Sequence, residues 1–100
     1  MSTIKYIDPL FQDLRNQIPK EKRREAEFSY SIARRIHEVL LRKGWTQADL
    51  ARATGKREAL VSRWMSGTHN FTIRTLAEIE TAIGEDIISV RHYRRLSNSD

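Results

Sequence analysis

The sequence contains no cysteine. That excludes disulfides and thiolate metal sites, and an intracellular setting is the simpler inference. Histidine is sparse as well: His37, His69 and His92 lie too far apart in sequence for a local zinc motif, so neither a metal nor any other cofactor is expected. No apolar run approaches the roughly 20 residues of a membrane helix, and the opening MSTIKYIDPLFQ lacks the apolar stretch of a signal peptide. The expectation is a soluble, cytoplasmic protein with no membrane partner. Internal repeats and low-complexity tracts are also missing. So are a nucleophile–base pair, a paired-carboxylate motif and a glycine-rich phosphate loop, which leaves no catalytic residue to nominate and no reason to expect an enzyme.

What is present fits one small domain: 100 residues bury a modest core but not two independent ones. The net charge of +5 is unevenly placed. Residues 42–74 hold seven basic and two acidic side chains, whereas residues 75–90 hold four acidic side chains and no basic one. A basic stretch attracts a polyanion's phosphates without regard to sequence. Solvated Lys and Arg would give the same surplus, so charge alone does not choose between these readings.

The hydrophobic pattern predicts helices. Asp8-Pro9 reads as a cap followed by proline at the first helical position, and Leu10, Phe11, Leu14 and Ile18 form a short amphipathic stripe ending before Pro19. That stripe must be buried, either on the main domain or on a partner. Residues 20–28 are mixed charges and fit either the exposed first turns of the next helix or a linker. From Ser29 a core helix is expected, with Ile32, Ile36, Val39 and Leu40 inward and a stop at Gly44. Thr46 caps a second helix with Asp49 in the capping-box position. Leu50 and Ala51 point inward, Trp45 staples the start, and Gly55 ends it.

A third helix is predicted from about Arg57 to Ser66, stopped by Gly67. Stepping 100° per residue from an inward Val61 puts Trp64, Met65 and Arg57 on the buried side and Ala59, Ser62, Arg63 and Ser66 outside, with Leu60 on a flank. Thr72 caps a fourth helix with the stripe Ile73, Leu76, Ile79, Ala82 and Ile83, ended by Gly84, with Glu78 and Glu80 facing away from the core. Ile87, Ile88 and Val90 then form either one short strand, which would need a partner such as its own copy, or an extended tail over the core. The predicted class is all-α, a compact bundle of four to five helices. Its organisation is an extension over 1–28 with one short helix, a domain over 29–90 and a basic, flexible tail over 91–100.

The residues Thr46-Gln47-x-x-Leu50-Ala51, Gly55, Val61-Ser62-Arg63-Trp64, Ser66-Gly67 and Leu76 resemble the phage-repressor/Cro-like (XRE) helix-turn-helix family over roughly residues 30–85. The resemblance implies a lambda-repressor-like fold and a DNA-binding regulator. The run Ser66-Gly67-Thr68-His69-Asn70 is similar to that of small stand-alone regulators and of antitoxins paired with ribonuclease-type toxins. The chain departs from the common pattern at Trp45, where leucine is usual, and in the charged Lys56-Arg57-Glu58 at the turn.

Carried over by position, the resemblance makes Gln47 a phosphate contact, since free N–H groups and a side-chain amide converge on an anion at a helix start. An uninvolved Gln beside a cap is the plain alternative. The third helix becomes the recognition helix, with Arg63 the leading base reader because a guanidinium bonds guanine O6 and N7 together. Ser62, Ala59 and Glu58 are further candidates; Glu58 accepts from cytosine N4 or simply pairs with Arg57 or Arg63. Phosphate contacts are expected from Thr46, Lys56, Arg57, Ser66, Thr68, His69 and Asn70, although His69 reads equally as a plain loop residue and the outward face as an ordinary solvated one. Trp45 and Trp64 are read as core. The implied partners are double-stranded DNA and a second copy of the chain on a two-fold operator, with repression as the expected outcome. In the alternative, the chain is an antitoxin that neutralises a ribonuclease-type toxin and regulates its own operon.

Overall fold

The computed structural model describes residues 9–91. Asp8, read above as a cap, and residues 92–100, read as tail, lie outside that range, and so does the side chain of Phe11. Among the described residues there are five helices and no strand: α1 (Pro9–Asn16), α2 (Lys20–Lys43), α3 (Gln47–Thr54), α4 (Glu58–Trp64) and α5 (Ile73–Ile83). The all-α class follows, and none of the helices is long and apolar enough to cross a membrane.

α1 forms where the proline and the apolar spacing place it, but Leu10, Leu14 and Ile18 stay 66%, 53% and 46% exposed, so the stripe is not covered by the domain. Residues 20–28 are the first turns of α2. Pro19 supplies a fixed φ of −54° and no N–H, which suits the residue just before a helix, and exposed i,i+3 pairs Lys22–Glu25 and Arg24–Glu27 line the opening turns. From Ser29 onward α2 buries Ala33, Ile36, Val39 and Leu40.

Thr46 and Asp49 form the predicted capping box: the Thr46 hydroxyl accepts from Asp49 N at 3.1 Å and the Asp49 carboxylate accepts from Thr46 N at 2.7 Å. Such a cap stabilises by about 1 kcal/mol. α3 then ends on Gly55, whose φ of +72° is the left-handed conformation that a side chain would strain, and the chain reverses within residues 55–57.

α4 is shorter than predicted at both ends. Arg57 is its N-cap, in extended conformation with φ −73° and ψ 146°, so the helical wheel does not apply to it and its side chain is exposed rather than inward. The helix closes at Met65 in right-handed geometry, two residues ahead of Gly67. α5 is capped by Thr72 and ends on Gly84 as expected, but Ile73 is 80% exposed: its place in the stripe holds on the wheel, and no element packs over the first turn.

The core joins α2, α3, α4 and α5 through Ile36, Val39, Leu50, Val61, Trp64, Ile79 and Ile83, all at most 1% exposed, with Trp45 and Ile87 packed at the margin. Each fully buried aliphatic side chain of this size contributes about 1.5–3 kcal/mol.

After α5 the chain is neither helix nor strand as far as it is described, and side chains far away in sequence hold it. Glu85 is gripped by Arg42 at 2.7 and 3.0 Å and by Arg35 at 3.4 Å, while Arg35 Nε donates to the Asp86 carbonyl at 3.0 Å. Glu80 accepts from the backbone N–H of Ile87 at 2.8 Å and of Ile88 at 3.2 Å. Glu80 is therefore a half-buried anchor for the following segment, not simply a residue facing away from the core as predicted.

Candidate nucleic-acid interface

α3 and α4 are both short, and their roles follow from which residues they bury. Leu50 and Ala51 take α3 into the core, and Val61 and Trp64 do the same for α4. Leu60 and Met65 are half-buried on its flanks, which leaves Glu58, Ala59, Ser62 and Arg63 exposed together. All four predicted base-reading residues are thus exposed on one seven-residue helix. Two of the four are small, so the helix backbone can come close to an opposing surface.

Electrostatics narrows the candidates. Of the seven cations over residues 42–74, four have a neighbour: Arg42 on Glu85, Lys43 at 5.2 Å over the Trp45 ring, Arg52 on the Asp49 carboxylate, and Lys56 on Glu78 at 3.3 Å. Arg57, Arg63 and Arg74 have no ion pair among the described residues. Arg74, exposed on the first turn of α5, had no motif to single it out in the sequence. It stands apart by having neither an acidic nor an aromatic partner among the described residues. Lys56, expected at phosphate, pairs with Glu78 of α5.

The anchoring residues separate by the state of their hydrogen atoms. The Thr46 hydroxyl accepts from Asp49 N within its cap and helps keep the Asp49 carboxylate charged, and Gln47 is exposed beside it at the first position of α3. The Ser66 hydroxyl donates to the Arg63 carbonyl at 2.7 Å. With that hydrogen committed, Thr68 is the donor in the 3.0 Å contact between the two hydroxyls, and Thr68 N also donates to Ser66 Oγ at 3.2 Å. Neither Ser66 nor Thr68 then has a hydroxyl hydrogen left for an anion. Their arrangement shapes the loop, and the backbone N–H groups of His69 and Asn70 have no acceptor among the described residues. His69 is half-buried with its ring edge-on to Phe71 at 4.9 Å, while Asn70 is exposed.

Asp49 is held below its usual range. The backbone N–H of Thr46, reinforced by the Thr46 hydroxyl and Arg52, lowers its pKa despite some desolvation. The carboxylate is therefore charged at neutral pH, and α3 begins with its cap intact. Outside the interface the Arg42 guanidinium acts in the same direction on Glu85.

The helix-turn-helix family model matches residues 36–90, more than half of the chain, and its span takes in α3, α4 and α5 whole. No curated protein and no solved structure gives a significant match.

Proposed function

Given that the chain belongs to the XRE helix-turn-helix family and is a DNA-binding regulator of that type, we propose that it is a repressor that binds a two-fold operator as a homodimer. α4 enters the major groove, Arg63 bonds a guanine, and Ser62, Ala59 and Glu58 complete the reading surface. Gln47, Thr46, Arg57 and the backbone of residues 69–70 hold phosphates and set the register. The observation that carries this reading is the exposed, unpaired guanidinium of Arg63 beside two small residues on a helix whose other face is core. One module reads too few base pairs for tight binding, so two copies on half-sites about one helical turn apart are needed. A mobility-shift assay on the DNA upstream of the protein's own gene tests it, with a discrete complex expected that random duplex does not compete away. Equal binding to any duplex would overturn specific regulation.

A second reading is that the protein is also an antitoxin. It is favoured by α1 and the turn after it, where Leu14 and Ile18 lie exposed instead of packing on the domain. The acidity of α5 does not add to it, because Glu78 and Glu80 are both engaged within the chain. Co-expression with the product of the adjacent gene decides: a stable complex lost on Leu14→Asp supports it, and no complex sinks it.

A further inference from the structure

We propose that Tyr30 of α2 is a further DNA-anchoring residue, its hydroxyl donating to a phosphate at the edge of the groove that α4 enters. The inference rests on the reading of α4 above and adds a contact from outside the helix-turn-helix, since Tyr30 precedes the residues 36–90 that the family model matches.

The loop after α4 spends its hydroxyls on itself. A chain that leaves the major groove has to pass the phosphate backbone, so residues 66–70 stand where a hydrogen-bond donor fixes the register of the protein on the duplex. The Ser66 hydroxyl is committed to the Arg63 carbonyl, and the Thr68 hydroxyl to Ser66 Oγ. A hydroxyl for phosphate must then come from another element.

Tyr30 brings one to the same place. A Cβ on Gly67 would stand 3.6 Å from Tyr30 Cδ1, so the tyrosine ring lies beside the backbone just past α4. The same turn of α2 also flanks the far end of the loop, because Phe28, Ser29 and Ile32 line one groove together with Asn70 and Phe71. Tyr30 is 59% exposed, and its hydroxyl has no hydrogen-bond partner among the described residues.

The side chain is positioned before any ligand arrives. α2 is one unbroken helix over Lys20–Lys43, and Ser29, Ala33 and Ile36, on both sides of Tyr30 in sequence, are buried and hold this part of it on the domain. A tyrosine has two side-chain torsions, so presenting its hydroxyl costs less entropy than presenting a lysine or arginine head. Phosphate is the acceptor that fits, because Tyr30 lies beside the loop and not on the helix that meets base edges, and a hydrogen bond to an anion is stronger than one between neutral groups.

Fluorescence anisotropy with Tyr30→Phe tests this on the duplex upstream of the protein's own gene and on a random duplex, with a melting curve by circular dichroism confirming the fold. The exchange removes the hydroxyl and keeps the ring beside Gly67. Binding to both duplexes is expected to weaken about 10-fold for each copy bound, since every sequence offers phosphates. The salt slope is expected to stay as it was, because a hydroxyl brings no cation. Ethylation of single phosphates in the upstream duplex should reveal a position that weakens the wild type and leaves Tyr30→Phe unaffected. A variant that binds both duplexes as the wild type does overturns the proposal, and if Tyr30→Ala is weak at the same time, the ring only braces the loop. A loss confined to the upstream duplex, or a loss with no such ethylation position, overturns the phosphate contact while the reading of α4 stands. A wild type that binds neither duplex overturns both.

Discussion

The sharpest test of the reading helix is Arg63→Ala. In the structure this side chain is exposed and unpaired, while Val61 and Trp64, on the buried side of the helix, carry the packing. Its removal is therefore expected to leave stability within about 0.5 kcal/mol, the range for a surface substitution away from any special feature. The effect on recognition is much larger. A bidentate guanidinium–guanine pair is worth about 1–3 kcal/mol of discrimination, and two copies on a two-fold site double it to about 2–6 kcal/mol. That converts to a specificity loss of about 30-fold to about 10⁴-fold. The assay is fluorescence anisotropy on the upstream operator and on a random duplex of equal length, each titrated at several salt concentrations. Operator affinity should fall towards the random-duplex value while random binding drops only by the loss of one cation. The salt slope should change by less than about one for each copy, because the contact is to a base and not to a phosphate. Equal loss on both duplexes would make Arg63 a phosphate contact and remove α4's leading base reader. A lowered melting temperature would show that the residue belongs to the fold.

Three further outcomes are expected. Glu78→Gln breaks the pair with Lys56, which is then free for phosphate: binding to random duplex should tighten and its salt slope should steepen by up to about one per copy, and an unchanged slope would show that Lys56 does not reach DNA. Leu50→Ala empties a fully buried position where α3 meets the core, and urea unfolding followed by circular dichroism should report a loss of about 2–5 kcal/mol; a loss under about 1 kcal/mol would mean that the site collapses without a cavity. Asp49 and Glu85 have pKa values lowered in the folded state, by the Thr46 N–H and the Arg42 guanidinium respectively. Their stabilisation is thus complete above the unfolded carboxylate range of about 4 and is lost as the pH falls through the lower folded values. Asp49→Asn combined with Glu85→Gln should flatten the acid side of the stability–pH curve, and an unaltered curve would place the acid sensitivity in other carboxylates.

What could be read from the sequence was local. The Thr46–Asp49 box, the glycine stops after α2, α3 and α5, and the inward Leu50, Val61 and Trp64 all depend on neighbours within four residues, and the chain adopts them as the spacing dictates. The errors came where a local rule met a boundary or a distant contact. Arg57 fails the wheel because the helix starts one residue later. Ile73 obeys the wheel but has nothing above it, since periodicity tells which face a residue is on and not whether that face is covered. The grip of Arg35 and Arg42 on Glu85 spans 50 and 43 residues, and no pattern in the intervening sequence announces it. Within the candidate interface, the exposure of Ala59, Ser62 and Arg63 followed the wheel, whereas Glu58, about 60° from Val61 on it, is exposed because it opens the helix. The capture of Lys56 by α5 and the mutual engagement of Ser66 and Thr68 did not, because each requires the path of the loop in three dimensions.

The division of α4 into a core side and an outer side has a consequence for how such a protein can change. Val61 and Trp64 anchor the helix without help from Glu58, Ala59, Ser62 or Arg63, so those four positions are free to vary independently of folding. A duplicated gene can therefore drift to a new binding site through a handful of exchanges on one short surface, each tolerated by the scaffold at the moment it occurs. Grafting the four outer residues of another regulator onto α4 should move the preferred DNA sequence and leave the melting temperature where it was.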